Sequence, residues 1–268
     1  MPTLPKADTP PSGYPALLAC QRDSSTQETR AAVKAAMLLD IPVARVSLAD
    51  LSGFARLPDA LPVGTVEFVH EAMRNLSIAG PSNISYPDCL HHLLRRHVRK
   101  SLAGHVLGRW FVKPCTTKAF TGFVFDSLVD PDQLDAHDRE QHDAFMALPP
   151  DAEVWISEVV EWLSEWRYYV LDGQLVGEAR YDQLDAEDAP QPDAQVVQEA
   201  VALASGSGMR TLSIDMGVLR SGETALVECN DAYALGLYGN AVECRDYLRM
   251  LEARWREIRL RSDCGNGL

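Results

Sequence analysis

The stretch TLSIDMGVLRSGETALVECN, residues 211–230, reads as two apolar strands, 211–219 and 224–230, joined by a Ser221-Gly222 turn. With a two-residue loop, Asp215 stands opposite Glu228, and strand alternation puts Asn230 on the same face as Glu228. Opposed carboxylates repel, and Ile214, Met216, Val227 and Cys229 make their surroundings poor in water. A divalent cation between them fits, because Asp, Glu and Asn oxygens are hard ligands and Mg²⁺ commonly takes one or two carboxylates plus substrate phosphates. A solvated outer face of an edge hairpin, holding no metal, fits the same pattern.

Upstream, strands at 166–171 and 174–180 flank an Asp172-Gly173 turn. A tight turn there predicts Glu165 opposite Arg180 and Arg167 opposite Glu178, all four on one face. Two cross-strand ion pairs, each contributing about 0.2 to 1 kcal/mol, account for these residues without any function. Only a neighbouring anion gives the arginines a further role. Candidate neighbours lie in RWFVKP (109–114) and FTGFVF (120–125), two predicted strands joined by CTTKA. Lys113 ends the first strand, and Lys118 sits in a Thr-containing turn ahead of Thr121 and Gly122. Turn amides, hydroxyls and two ammonium groups are what a polyphosphate needs, although surface lysines explain the motif equally well. Neither GxxxxGK[ST] nor GxGxxG occurs, so no Walker loop or Rossmann fingerprint is available.

The rest of the chain gives an α+β arrangement with an α/β beginning. Residues 1–13 form a Pro-, Thr- and Ser-rich arm, and residues 14–88 a small α/β domain. That domain is predicted from strands at 14–20, 41–48 and 65–72 and a helix over 26–39. CLHHLLRRHVRKS (89–101) has helical spacing of Leu90, Leu93, Leu94 and His97, with Arg95, Arg96, Arg99 and Lys100 on the other side. Residues 126–151 are acidic and read as irregular or partly helical; a strand follows at 153–162. Helices are predicted at 194–205 and 243–260.

The ordered set VKP, a lysine and glycine loop, ISEVVEW, EWR with its Asp-Gly hairpin, ID and VECN resembles the ATP-grasp superfamily, in particular the clade named for one arginine and two lysines. The resemblance covers about residues 109–240. It implies an ATP-grasp fold over 89–268, with subdomains 89–152 and 153–268 holding the nucleotide between them. It also implies ATP and Mg²⁺ or Mn²⁺ as cofactors. In that reading Lys113 reaches the nucleotide phosphates, and Lys118, Thr121 and Gly122 form the loop that folds over them. The backbone of Glu158, Val159 and Val160 meets adenine, with Glu161 or Glu165 near the ribose. Arg167 and Arg180 face the γ-phosphate or an acyl phosphate, and Asp215, Glu228 and Asn230 hold the metal. The more N-terminal lysine of many members has no secure match; Arg95, Arg96, Lys100 and Arg109 are substitutes.

Superfamily members generally activate a carboxylate as an acyl phosphate for attack by an amine or thiol. The resemblance therefore implies a ligase acting on small-molecule or peptide carboxylates and amines, and an opening without the apolar core of a signal peptide predicts a cytoplasmic location. A kinase on the same scaffold and a non-catalytic nucleotide-binding module are the alternatives. Acceptor specificity falls to the N-terminal domain and the loops at 79–88, 126–151 and 181–193, with Tyr86, His91, Arg95 and Tyr233 as candidates.

Charge agrees with such a role. A net charge of −13 repels nucleic acid and anionic membranes, and no apolar run is long enough to span a bilayer. No nucleic-acid or membrane partner is expected, and a homodimer is left open. Only five of the 25 basic residues are lysines, two of them Lys113 and Lys118. Six scattered cysteines without metal spacing read as reduced thiols, Cys115 included.

Overall fold

The apolar run ahead of Arg22 forms β1 (Leu17–Gln21), and Thr26 starts α1 (Gln27–Leu38) through a reciprocal capping pair with Thr29. β2 (Val43–Val46) and β3 (Ala60–Val63) flank β1, both parallel to it, in the order β2-β1-β3. The computed structural model describes residues 11–57, 59–116, 119–182 and 188–265.

The third strand departs from expectation. Residues 65–72, predicted as a strand, belong to α2 (Val66–Asn75). Thr65 caps this helix by accepting from the Phe68 amide, and Phe68, Val69, Ala72 and Met73 are buried at helical spacing. The alternating Val, Phe and His of the sequence imitates a strand, but the cap and the four-residue recurrence of apolar groups prevail. ALPV at 60–63 takes the sheet position instead, with all four residues buried.

A second sheet, β4-β7-β5-β6, is antiparallel and comprises β4 (Val98–Leu102), β5 (Arg109–Pro114), β6 (Phe123–Asp126) and β7 (Glu153–Ser157). The predicted basic helix over 89–101 does not form. A 3-10 turn covers Asp88–Leu93, Arg95 adopts φ 52°, and the chain leaves as β4. The left-handed Arg95 breaks the helical register, while Leu90, Leu93 and Leu94 remain buried as an apolar plug. Lys100 then pairs with Glu153 at 2.8 Å across the β4–β7 ladder. The acidic excursion contains α3 (Ala136–Met146), started by Asp135, and Phe145 on it packs with Phe120, Phe123 and Phe125 beneath the sheet.

The third sheet, β11-β10-β8-β9, is also antiparallel and comprises β8 (Trp162–Leu171), β9 (Gln174–Arg180), β10 (Leu212–Leu219) and β11 (Thr224–Asp231). Between β9 and β10, α4 (Ala194–Gly206) buries Val197, Ala200, Val201 and Ala204 against Tyr168, Val170, Leu212 and Ile214. The last helix, α5 (Cys244–Gly265), packs on α1 and β3, so Tyr247, Leu251 and Trp255 share one core with β1, α2 and the Tyr169 side of the third sheet. Mixed α+β layering of this kind follows from the sheets needing helical cover on one face. No helix among the described residues is long and apolar enough to cross a membrane.

Candidate functional site

A cavity of about 950 Å³ opens between the second and third sheets. Its floor is the polar face of the β10–β11 hairpin. Asp215 does stand opposite Glu228, and Ser213 opposite Asn230, but by a longer route than a two-residue turn. Gly222 at φ 88° closes a wider loop, with the Leu219 amide donating to the Glu223 carbonyl at 2.9 Å. Pairs next to the turn are therefore one residue out of the expected register, Val218 facing Thr224. A β-bulge at Val227 restores it. The bulge leaves carbonyls to be satisfied, and Arg96 does so, donating to the oxygens of Leu226 at 2.6 Å, Val227 at 3.0 Å and Leu94 at 3.1 Å. The guanidinium also lies 5.2 Å from the centroid of the Trp162 ring. Burial pulls its pKa below the usual arginine value, with Tyr86 acting in the opposite direction.

The second hairpin overturns the expected ion pairs. Val170 faces Leu175 near the turn, yet Tyr169 faces Gly177, because a bulge at Val176 slips the ladder by one. A one-residue slip moves every side chain to the other face. Arg167 accordingly pairs with Ala179 rather than Glu178, and Arg180 with Trp166 rather than Glu165. Arg180 turns away from the cavity and binds Asp182, at 2.6 to 2.9 Å.

Arg167 remains inside and meets Asp215, directly opposite on β10. Its Nε and one terminal nitrogen donate to the two carboxylate oxygens at 2.8 and 2.7 Å, and Asp215 is fully buried. Burial opposes the charge on Arg167, but the Asp215 carboxylate holds the guanidinium protonated. Tyr238 and Tyr181, stacked on each other 5.1 Å apart, complete its enclosure, with centroids 4.9 and 5.6 Å from its carbon. Neither tyrosine carries a sequence signal for this role.

Lys113, at the end of β5, forms an ion pair with Glu228 and donates to the Ser85 hydroxyl at 3.1 Å. Burial lowers its pKa to about 8, against the pull of Asp215. The loop bearing Ser85 is tied to the floor by the Cys229 amide, which donates to the Ser85 carbonyl at 2.9 Å. Thr121 and Gly122 line the opposite wall. The Thr121 amide donates to Gln141 at 2.7 Å, and a Cβ on Gly122 would strike the Phe111 ring, so the loop passes close over β5 only as glycine. Lys118 lies outside the described residues.

Residues 158–161, between β7 and β8, take no regular structure, and Glu158, Val159 and Val160 line the cavity. Glu158 is held by its own amide and side chain against His97, at 3.1 and 2.9 Å. Glu161 faces outward to Arg220 at 2.6 Å, whereas Glu165 lines the cavity. Burial raises the Glu165 pKa, and Tyr181 donates to it at 3.0 Å. At the other end Tyr233 shares a 2.8 Å hydrogen bond with His70 of α2, and Asp231 is clamped by Arg254 at 2.8 and 2.6 Å. His91 hydrogen-bonds the Tyr86 carbonyl, while Tyr86 lies in the wall beneath Lys113.

The three proposed metal ligands are adjacent but differently placed. Asn230 donates through its amide nitrogen to Asp215 and Glu228, both at 3.1 Å, which leaves its side-chain carbonyl oxygen as a metal ligand beside the Glu228 carboxylate. Both residues line the cavity, and these hard oxygens suit Mg²⁺. Asp215 gives both its oxygens to Arg167 and does not line the cavity. No group of three His, Cys, Asp or Glu residues converges as a ligand set among the described residues.

Cys115 is partly buried and its thiol pKa is raised by that burial, which agrees with an inert cysteine.

Comparison with solved structures gives the same architecture at low identity. D-alanine–D-alanine ligase from Bacillus anthracis complexed with ATP superposes with TM-score 0.54 and 13% identity, covering 92% of this chain and 99% of that one. D-cycloserine synthetase DcsG gives TM-score 0.58 and 14% identity over 89% and 99% of the two chains. The ADP complex of the N5-carboxyaminoimidazole ribonucleotide synthetase purK gives 0.56 and 12% over 90% and 78%. A sequence comparison with curated proteins gives no match. The ATP-grasp domain family that is the second of the clade named for one arginine and two lysines matches residues 93–250, more than half of the chain, and the protein belongs to that family.

Proposed function

We propose that the protein is an ATP-dependent ligase that activates a carboxylate as an acyl phosphate for attack by an amine or thiol. The observation that carries this reading is the convergence of Lys113, Arg167, Glu228 and Asn230 on one side of a cavity that also contains the 158–160 backbone. Adenine would lie along Glu158, Val159 and Val160, with Glu165 rather than the outward-facing Glu161 toward the ribose. Lys113 would move from Glu228 to the phosphates, and Thr121 and Gly122, with Lys118 as a proposed further member, would cover them. Arg180 is left out of the site, because its side chain is committed to Asp182.

In the first half-reaction a substrate carboxylate oxygen attacks the γ-phosphorus while the bond to the ADP oxygen breaks. Arg167, aligned by Asp215, would bear negative charge on the transferred group. Mg²⁺, held by Glu228 and Asn230, would neutralise phosphate charge when bound. The amine or thiol then attacks the acyl carbon, loses its proton, and expels phosphate. Amino acids, peptides or similar small molecules are the proposed acceptors, entering beside Tyr233 and the Ser85 loop. The cell interior, as the ATP-containing compartment, is the proposed location.

MgATP should raise the melting temperature, since a ligand at one hundred times its Kd stabilises the folded state by about 2.7 kcal/mol. Glu228→Ala should remove that shift, and Lys113→Met should abolish ATP turnover. An ADP-release screen with paired amino acids and dipeptides then tests the ligase. An unchanged melting curve for the wild type at millimolar MgATP overturns the nucleotide site, and a stable phosphorylated product without free phosphate replaces the ligase with a kinase.

A further inference from the structure

A second concavity, of about 490 Å³, runs along α1 beside the edge strand β2 and shares no lining residue with the first cavity. From Thr29 to Leu38 it follows roughly 13 Å of helix. Arg22, Arg30, Lys34 and Arg45 line it, all exposed. In a chain with a net charge of −13, none of these four cations forms an ion pair with a described carboxylate. Three of them rest on neutral acceptors: Arg22 on the Arg45 carbonyl at 3.0 Å, Arg30 on the Ser25 carbonyl at 3.2 Å, and Arg45 on the Cys20 sulfur at 3.3 Å. At the far end of the groove Met37 and Leu38 are 72% and 53% exposed. A compact phosphate would use the cations alone; an extended groove with an apolar end fits a polypeptide that carries both acidic and apolar side chains.

The same molecule presents such a segment elsewhere on its surface. DSLVDPDQLD, residues 126–135, runs from the end of β6 to the cap of α3 and holds four aspartates and no basic residue; Asp132 pairs with Arg139 at 2.8 Å and Asp135 caps α3, while Asp126 and Asp130 form no ion pair with a described cation. Leu128 is 91% exposed and Val129 41%. We propose that this loop of one copy docks in the α1 groove of a second copy, with Leu128 and Val129 against Met37 and Leu38, and Asp126 and Asp130 against the groove cations. The two surfaces are different, so the contact is heterologous: each copy offers one loop and one groove, and assembly extends unless a ring closes. The net charge opposes approach at long range, and physiological salt, with a screening length of about 8 Å, reduces that repulsion while leaving the close contacts.

Sedimentation velocity from micromolar to near-millimolar protein tests this. Wild-type average mass should rise with concentration. Arg30→Glu with Lys34→Glu removes the groove, and Leu128→Lys removes the loop; each should weaken association about tenfold or more. An equimolar mixture of the two variants has one intact groove and one intact loop, and should form one-to-one pairs and nothing larger. All changed side chains are exposed, and unaltered melting temperatures check the folds; Lys34→Glu alone serves if the double variant melts early. A monomeric wild type at every concentration, association unaffected by both variants, or a mixture that stays monomeric overturns the proposal. So does binding of an unrelated poly-glutamate peptide to the groove of a strictly monomeric wild type.

Discussion

Replacing Arg96 by Met removes a partly buried guanidinium that contacts three main-chain carbonyls, two of them at the bulge preceding Glu228. Hydrogen bonds to charged groups contribute about 1.5 to 3 kcal/mol each, and a deserted buried acceptor costs about 1 to 3 kcal/mol. The three bonds are cooperative and partly replaceable by water, so a total loss of about 3 to 5 kcal/mol is expected. At roughly 2 to 4 °C per kcal/mol for a protein of this size, melting should fall by about 6 to 20 °C. The functional effect should be directional. Once the bulge relaxes, Glu228 and Asn230 lose their register opposite Asp215 and Ser213, while the wall at 158–160 is untouched. The assay is a thermal-shift titration with ATP, with and without Mg²⁺, for the wild type, Arg96→Met and Arg96→Lys. The metal-dependent part of the shift should shrink in the Met variant and be partly restored in the Lys variant, with nucleotide binding in the absence of metal retained. Equal loss with and without Mg²⁺ would show that Arg96 contacts the nucleotide, and wild-type stability would refute the role of the carbonyl contacts.

Three further outcomes follow from the site. Arg167→Met leaves fully buried Asp215 without its counter-charge and should destabilise the protein by about 3 to 5 kcal/mol near neutral pH, as measured by urea unfolding. Lys113, with its pKa lowered to about 8 by burial, should lose its ammonium above that pH. ATP affinity should then weaken above pH 8, a break that Lys113→Arg removes. Because the unfolded chain binds this proton up to about pH 10.5, this group alone makes stability rise between the two values. Gly177→Ala would drive a Cβ into the Ala241 carbonyl and should destabilise by about 1 to 3 kcal/mol, detectable as a lower urea midpoint.

Legibility of these features in the sequence followed how local their causes are. RWFVKP and QLVGEAR match β5 and β9 residue for residue, since each is an apolar run bounded by breakers or a turn. The Asp215–Glu228 pair was readable, but its derivation was not: a wider turn and the Val227 bulge offset each other. At Val176 there was no such offset, and a single bulge reassigned Arg167 from Glu178 to Asp215 and removed Arg180 from the cavity. Bulges depend on tertiary contacts such as Arg96 on the Val227 carbonyl, 131 residues away, which no periodicity reports. The same limit explains residues 65–72 and 89–101, where a capped helix replaced an alternating pattern and a left-handed arginine ended a helical one. Tyr181, Tyr238 and His70 entered the site only through folding of distant segments.

The position of α5 bears on how the chain comes off the ribosome. β1, α1 and β3 emerge before the other two sheets, yet part of their apolar cover is supplied by Tyr247, Leu251, Trp255 and Ile258, more than 180 residues later. Until those residues emerge, α1 and the small parallel sheet have apolar surface exposed to water. This small domain is thus sealed only by a helix made much later, through contacts of very large sequence separation, which slow folding and prolong exposure to aggregation. Chaperone dependence during synthesis should therefore track arrival of α5 rather than completion of the nucleotide-binding sheets.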